Sequence, residues 1–317
     1  MSNKRYSIII PHYNSLGTLR ELLDSIPRRD DIQVIVVDDN STWDADGLHE
    51  YMATQSRVEF YVNDTGIQSA GACRNIGLSH AKGKWLLFAD ADDYFVEGFI
   101  DVTDRYHDSA VDVIFFAPKS VSLIEGFDDK RHLEAEKTIS NYQKNPNRKS
   151  ELRLKYNIKS PCSKMVRRGL VEIQGITFEP TIVANDVMFS AKLSHAIASF
   201  ATDMTPIYMI TRREGTLTTM TDAERFTVRR DVLVRRCRFL QEVLSKKDWR
   251  SLKIEGGSCL RQVQLASLGL PVFIETYQIL RLNNIKTNLL RYFNPYSAVK
   301  RQFRVWQAGS SGKSMSL

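Results

Sequence analysis

At 317 residues, with 43% hydrophobic and 26% charged residues, the chain has the composition of a globular protein with a sizeable core, which excludes disordered and fibrous classes. No apolar run approaches the roughly 20 residues of a membrane-spanning helix, and Met1–Arg5 leads directly into a short strand with no signal peptide, so a cytoplasmic location is expected. The formal net charge of +7 is uneven: after Thr276 there are arginines and lysines but no acidic residue, which points to an anionic partner, membrane phosphate or nucleic acid.

In chain order, runs rich in β-branched or aromatic residues predict strands at Tyr6–Ile10, Gln33–Val37, Val58–Val62, Trp85–Ala89 and Val111–Ala117. Helical patterns lie between them, at Leu16–Ile26, Ala45–Ala53, Ser69–Ala81 and Val96–His107. The alternation implies an α/β fold, a mostly parallel sheet with flanking helices. From about Lys119 to Ser150 the chain turns polar and strand signals disappear, so an excursion or flexible loop is expected there. Order resumes over Ser160–Arg213 with SKMVRR, the helix-like RGLVEIQG, the loop ITFEPTIVAND, a helix from about Val187 to Ile197 and the strand IYMIT. A basic helical pattern over Ala223–Leu244 then opens a C-terminal helical extension. Cys73, Cys162, Cys237 and Cys259 have neither CxxC nor Cys/His spacing, which argues against a zinc site and a disulfide framework.

Ligands of parallel sheets bind beyond the carboxyl ends of the strands, and the informative polar residues fall at those ends. Pro11-His12-Tyr13-Asn14 follows the first strand, Asp38-Asp39-Asn40-Ser41 the second, Asn63-Asp64 the third and Asp90-Ala91-Asp92-Asp93 the fourth. In KWLLFADADD, Lys84–Asp93, a buried strand runs straight into clustered carboxylates, whose mutual repulsion a cation or a ligand's hydrogen bonds would offset. Hard oxygen ligands suit Mg²⁺ or Mn²⁺ carrying nucleotide phosphates. The other reading is a strand end capped by solvated aspartates.

With SIIIPHYN, VIVVDDNST, GACRNIGLSHAKGKW, LLFADADD, SKMVRRGLVEIQGITF, VANDVMF and REGTLT in this order, the chain resembles the inverting GT-A glycosyltransferases of family 2, over roughly Ser7–Thr219. The bacterial enzymes that build capsule, O-antigen and other surface polysaccharides resemble it most. The resemblance implies a Rossmann-like GT-A fold with a nucleotide-sugar-binding half (1–118), an acceptor-binding and catalytic half (119–220) and a helical, basic region (221–317). It implies that Pro11 and Tyr13 line the base pocket, that Asp39 accepts the uracil N3 proton with Asp38 in support, and that Asp64 extends the pocket. Arg74 would meet the diphosphate, Asp90 the ribose, and Asp92 a Mn²⁺ or Mg²⁺ ion bridging the phosphates. Arg213, with Arg212 competing, would lie near the diphosphate. Asp186 would be the catalytic base, although the usual Glu-Asp pair is here Asn185-Asp186; an N-cap aspartate is the competing role. His12 and His195 are given structural roles.

The implied reaction is a single displacement moving a hexosyl or N-acetylhexosaminyl group from a UDP-sugar to a hydroxyl of a glycan or undecaprenyl-linked acceptor. The basic, apolar-interleaved stretch Tyr277–Trp306 would rest on an anionic membrane at the inner face; nucleic acid would not explain the carboxylate-lined edge. A sugar-nucleotide pyrophosphorylase would carry a glycine-rich basic loop where PHYNSLGTLR stands, and a non-catalytic binding or scaffold protein would show a broken carboxylate set. A processive synthase would carry membrane helices and QxxRW, neither of which is seen.

Overall fold

The computed structural model describes residues 4–43, 45–126, 128–213 and 222–288. The first part of the chain forms β1 (Tyr6–His12), α1 (Leu16–Asp24), β2 (Ile32–Asp38), α2 (Ala45–Thr54), β3 (Val58–Val62), α3 (Ala70–His80), β4 (Trp85–Phe88), β5 (Tyr94–Phe95), α4 (Phe99–Asp104) and β6 (Val113–Phe116). There follow β7 (Lys119–Ser122), α5 (Leu133–Lys144), α6 (Arg148–Asn157), β8 (Lys164–Arg167), α7 (Arg168–Ile173), α8 (Asp186–Ala196), β9 (Phe200–Asp203) and β10 (Tyr208–Arg212). The chain then turns helical in α9 (Ala223–Val243), α10 (Lys246–Leu252), α11 (Gly257–Leu265) and α12 (Gly269–Leu282).

Among the described residues the main sheet has seven strands in the order β3-β2-β1-β4-β8-β6-β9, and β5-β10-β7 form a smaller one. Every residue of β1, β2 and β4 is buried, as expected for parallel strands covered on both sides, whose sequences read as unbroken apolar runs. Ile8 lies opposite Val34 on one side and Leu87 on the other, all three parallel. Parallel β1 to β4 deliver their carboxyl ends to one edge. Strand β8 runs antiparallel to both β4 and β6, with Leu86 opposite Val166, so it is the start of β8, at Lys164, that reaches this same edge.

The polar span from Lys119 to Ser150 is not a loop: it holds β7, α5 and the start of α6. Helix α5 buries only Ile139, so it shows no apolar stripe to read. Its neighbour α6 opens with a capping box, in which the Asn147 side chain accepts from the Ser150 amide and the Ser150 hydroxyl oxygen accepts from the Asn147 amide at 3.0 Å. The expected helix Val96–His107 shrinks to Phe99–Asp104, its first three residues forming the turn that follows β5.

One large core, from Tyr6 through Phe189 to Tyr208, fills the sheet layers. A second cluster around Phe226, Cys237, Leu260 and Leu280 holds the C-terminal helices together, and a third joins Leu152 and Tyr156 of α6 to Leu240 and Leu252. Helix α9 also packs along α8. All four cysteines are buried free thiols.

Candidate active site

The loops after β1, β2 and β3 are knitted together by short polar side chains. Asn14 and Asn40 adopt left-handed backbone conformations, φ 48° and 60°, which asparagine tolerates better than most residues. Asn14 Oδ1 accepts from the amides of Thr42 and Trp43, both at 2.9 Å, and Asn40 Nδ2 donates to the Asn63 carbonyl at 2.8 Å. His12 is structural in this net: its Nε2 accepts from the Ser15 amide at 3.2 Å, which leaves Nδ1–H to donate to Asp38 at 2.9 Å. Asp38 also accepts from the Ser41 amide and hydroxyl. Burial raises its carboxyl, but these hydrogen bonds outweigh burial and hold it below the usual range.

Its neighbour Asp39 is buried, with Asn63 Nδ2 donating to it at 2.6 Å, and burial raises its carboxyl above the ordinary value. Pro11 is buried beside it, whereas Tyr13 and Asp64 face solvent. These residues lie at the edge where β1, β2 and β3 end.

The three carboxylates of the DxDD segment diverge into different environments. Asp93 turns inward, where Oδ1 accepts from the Thr211 amide at 2.6 Å; burial first, then Asp90 and Asp92, push its carboxyl up to about 8. The buried Tyr208 hydroxyl accepts from the Asp90 amide at 2.8 Å. Asp90 accepts from Arg74 Nη2 at 2.5 Å. Asp92 remains half-buried, its carboxyl raised by burial and by Asp90 against the opposing pull of Arg131 and Arg213. Among the described residues no three His, Cys, Asp or Glu side chains converge into a metal cage. A divalent ion would therefore fit here only if oxygens from outside the protein completed its shell.

Arg74 is the junction of the site. It is 5% exposed, donates from Nη1 to Asn185 Oδ1 at 2.7 Å and from Nη2 to Asp90, and has a buried Nε without a hydrogen-bond partner. The face of α3 formed by residues 71, 74 and 75 explains the GACRN spacing, since positions three and four apart share a helix face. Gly71 lets the loop carbonyl of Glu179 approach so closely that a Cβ would lie 2.2 Å from it. Asn75 exchanges two hydrogen bonds with the Phe178 backbone, 2.8 and 3.0 Å. Phe178 stacks on Phe189 at 3.9 Å, so the loop before α8 is fixed from both sides.

Asn185 occupies the N-cap position of α8, without a side-chain capping hydrogen bond, and Asp186 lies in the first helical turn. Burial raises the Asp186 carboxyl, Arg74 and Lys164 pull the other way, and Asp90 adds to the rise. Lys164 is 2% exposed, donates to the Ile158 carbonyl at 2.7 Å, and is lowered by burial to about 8 despite the nearby charge of Asp186.

The edge thus gathers Pro11, Asp38, Asp39, Arg74, Asp90, Asp92 and Asp186. Arg213 instead donates from Nη2 to Glu21 at 2.6 Å on α1, close enough to Asp92 to act on its charge. Residues 214–218 of REGTLT lie outside the described residues. His195 sits on α8 edge-on to Phe239, 5.9 Å away, in the packing against α9. Sequence reasoning singled out Asn63 with Asp64 but missed Arg131, Lys164 and Tyr208. Lys164 and Tyr208 stood inside SKMVRR and IYMIT, whereas Arg131 stood in the span expected to be an excursion or flexible loop.

The family model described as Glycosyl transferase family 2 matches residues 7–173, more than half of the chain. Over 94 residues the chain is 34% identical to the poly(ribitol-phosphate) beta-N-acetylglucosaminyltransferase TarS of Staphylococcus aureus, a match covering 28% of this chain and 16% of TarS. Over 97 residues it is 30% identical to the GalNAc(5)-diNAcBac-PP-undecaprenol beta-1,3-glucosyltransferase of Campylobacter jejuni, covering 30% of this chain and 31% of that one. The chain therefore spans less than a third of the length of these curated relatives. Among solved structures, S. aureus TarS 1–349 in complex with UDP-GlcNAc has TM-score 0.59 at 21% identity, covering 88% of this chain and 89% of that one. The mannosyltransferase PcManGT from Pyrobaculum calidifontis, in complex with GDP-Man and Mn²⁺, has TM-score 0.58 at 18% identity, covering 96% and 84%. The shared architecture is the GT-A fold.

Proposed function

The chain belongs to glycosyltransferase family 2, and from that premise we propose that it moves a sugar from a UDP-sugar to a hydroxyl of a glycan or lipid-linked acceptor, with inversion, in bacterial surface polysaccharide synthesis. The observation that carries this reading is the Arg74 junction, which joins the DxD strand end at Asp90 to Asn185, next to Asp186. Donor and base sides of a displacement reaction are thereby held by one guanidinium.

In this reading Asp39, backed by the His12–Asp38–Ser41 net, takes the uracil N3–H, with Pro11, Tyr13 and Asp64 around the base. Arg74 brings its charge to the diphosphate, opposing the negative charge that grows on the leaving group. Asp90 approaches the ribose and Asp92 holds a Mn²⁺ or Mg²⁺ ion against the phosphates; when bound, that ion supplies further charge neutralisation. Arg213 adds a cation at the rim. Asp186 deprotonates the acceptor hydroxyl as it attacks, a role suited to a carboxylate whose proton affinity burial has raised.

The S. aureus and C. jejuni relatives support a hexosyl or N-acetylhexosaminyl donor group, the UDP-GlcNAc complex of TarS supports UDP, and the PcManGT complex supports Mn²⁺. The division into donor half 1–118, acceptor half 119–220 and helical region 221–317 is part of the same reading. So is work at the cytoplasmic face of the membrane: among the described residues no helix is long and apolar enough to cross one, and of the basic stretch Tyr277–Trp306, residues 289–306 lie outside the described residues. A panel of nucleotide sugars in Mn²⁺, followed by nucleoside diphosphate release and thermal stabilisation, tests the proposal. Selective turnover of a UDP-sugar is expected; stabilisation and turnover by none of the panel would refute it.

A further inference from the structure

Helix α8 is entered through the loop 174–185, and one residue of that loop, Glu179, is held by its amide, its carbonyl and its carboxylate alike. Its amide donates to the Asn185 carbonyl at 3.2 Å, which draws the segment 179–185 into a ring that ends just before Asp186. Its carbonyl accepts from the Thr181 amide at 2.8 Å and lies against Gly71 of α3. Its carboxylate meets the C-terminal helices: Arg235 of α9 donates from Nε to Oε1 and from Nη2 to Oε2, both at 2.9 Å.

Two parallel hydrogen bonds between a guanidinium and a carboxylate fix direction as well as distance. Arg235 is anchored at its root, because Val234 and Cys237 beside it are buried in the C-terminal core, and α9 itself packs along α8. Inside the ring, Thr181 Oγ1 donates to the Val183 carbonyl at 2.9 Å. Ala184 holds a left-handed backbone, φ 57°, which a residue with a Cβ keeps only where its surroundings enforce it. Ala184 stands two residues before Asp186, so relaxation there would turn the start of α8 and the carboxylate on it. The side chains of the clamp are 43% and 23% exposed. A pair this open to water adds little to the stability of the fold, so its loss is expected to move the loop without unfolding the chain.

We propose that Arg235 is a positioning residue for the reaction: by gripping both carboxylate oxygens of Glu179 it holds the loop before α8 so that Asp186 faces the acceptor hydroxyl. The C-terminal helical region is then part of the catalytic unit. This role rests on the glycosyltransferase reading, with Asp186 as the base, and adds a determinant outside the strand-end motifs. Arg74 holds Asn185 from the side of α3, and Arg235 holds Glu179 from the side of α9. Of these two guanidiniums it is Arg74 that also meets Asp90, so loss of Arg235 is expected to lower kcat and to spare donor binding.

The experiment is steady-state kinetics of the full chain in Mn²⁺, using the UDP-sugar that the nucleotide-sugar panel selects and reading UDP release with water as acceptor. UDP calorimetry and thermal melting are run on the same preparations. Arg235→Gln and Glu179→Gln are each expected to lower kcat about tenfold, since a small misplacement of a catalytic group is costly, with UDP affinity and melting temperature unchanged. Arg235→Lys keeps the charge without the fork and is expected to fall between. The double variant Arg235→Glu with Glu179→Arg rebuilds the clamp in reverse and is expected to recover turnover. Wild-type kcat in Arg235→Gln, a kcat that falls only in step with melting temperature, or a double variant no better than the single ones would overturn the proposal. Turnover of no UDP-sugar by the wild type would overturn the glycosyltransferase reading itself, and this role of Arg235 with it.

Discussion

Arg74 Nη1 donates to Asn185 Oδ1 at 2.7 Å across 111 positions of sequence, while the same guanidinium meets Asp90 through Nη2. A planar fork spans the two partners in fixed directions, which a lysine ammonium on a flexible stem cannot do. Arg74→Lys is therefore expected to weaken UDP binding about tenfold or more and to lower turnover further, because the loop before α8 loses its tie. Calorimetry and steady-state kinetics measure the two effects; a variant with wild-type values for both would remove Arg74 from the centre of the site.

Asp92 and Asp39 are expected to separate under chelation. Asp92→Asn should weaken UDP affinity in Mn²⁺ and matter little in EDTA, since in the proposed reading Asp92 holds the ion. Asp39→Ala should weaken binding under both conditions, since in the same reading Asp39 contacts the base. Titration of UDP with and without metal reads both. Identical behaviour of the two variants would contradict the division of labour between them.

Gly71→Ala would force a Cβ to within 2.2 Å of the Glu179 carbonyl and 2.9 Å of Asn185 Cβ. Backbone must move, at a cost of about 1–3 kcal/mol, and the loop it displaces leads into Asp186. A lowered melting temperature with a larger loss of turnover than of UDP affinity is expected. Gly17→Ala, where nothing lies within 4 Å, is the matched control and should change neither.

Much of this architecture was legible because parallel strands buried on both faces leave plain apolar runs, and because their carboxyl ends collect the polar residues of the site. Tyr6–Ile10 and Trp85–Ala89 were visible for that reason, and with them the positions of Asp39 and Asp92. Helix α5, which buries only Ile139, was illegible because solvated helices need no apolar period. The different fates of Asp90, Asp92 and Asp93 could not be read either: each depends on a partner remote in sequence, Arg74 for the first and the Thr211 amide for the last. The same holds for Lys164, whose burial is set by the antiparallel insertion of β8.

Lys164 gives the fold a pH signature. Its folded value of about 8 lies below the ordinary 10.5, so the unfolded chain binds more protons between these limits and stability contributed at this site rises with pH across that window, by about 3 kcal/mol at most. Below pH 8 both states are protonated and the penalty is constant. Lys164→Met removes the titration. The difference in unfolding free energy, wild type minus variant, should therefore increase from pH 8 to pH 10; a flat difference would mean that Lys164 is not held in a desolvated site.

The most direct test of the catalytic assignment is Asp186→Asn, assayed for turnover and donor affinity on the same preparation. An amide preserves shape but cannot take the acceptor's proton, so turnover should fall by about 10²-fold or more while UDP-sugar affinity and melting temperature hold. Asn185, not Asp186, holds the N-cap position of α8, so the helix start does not depend on this carboxylate as its cap. Wild-type turnover in the variant would exclude Asp186 as the base, and a fall in turnover matched by an equal loss of stability would assign the residue to the helix instead.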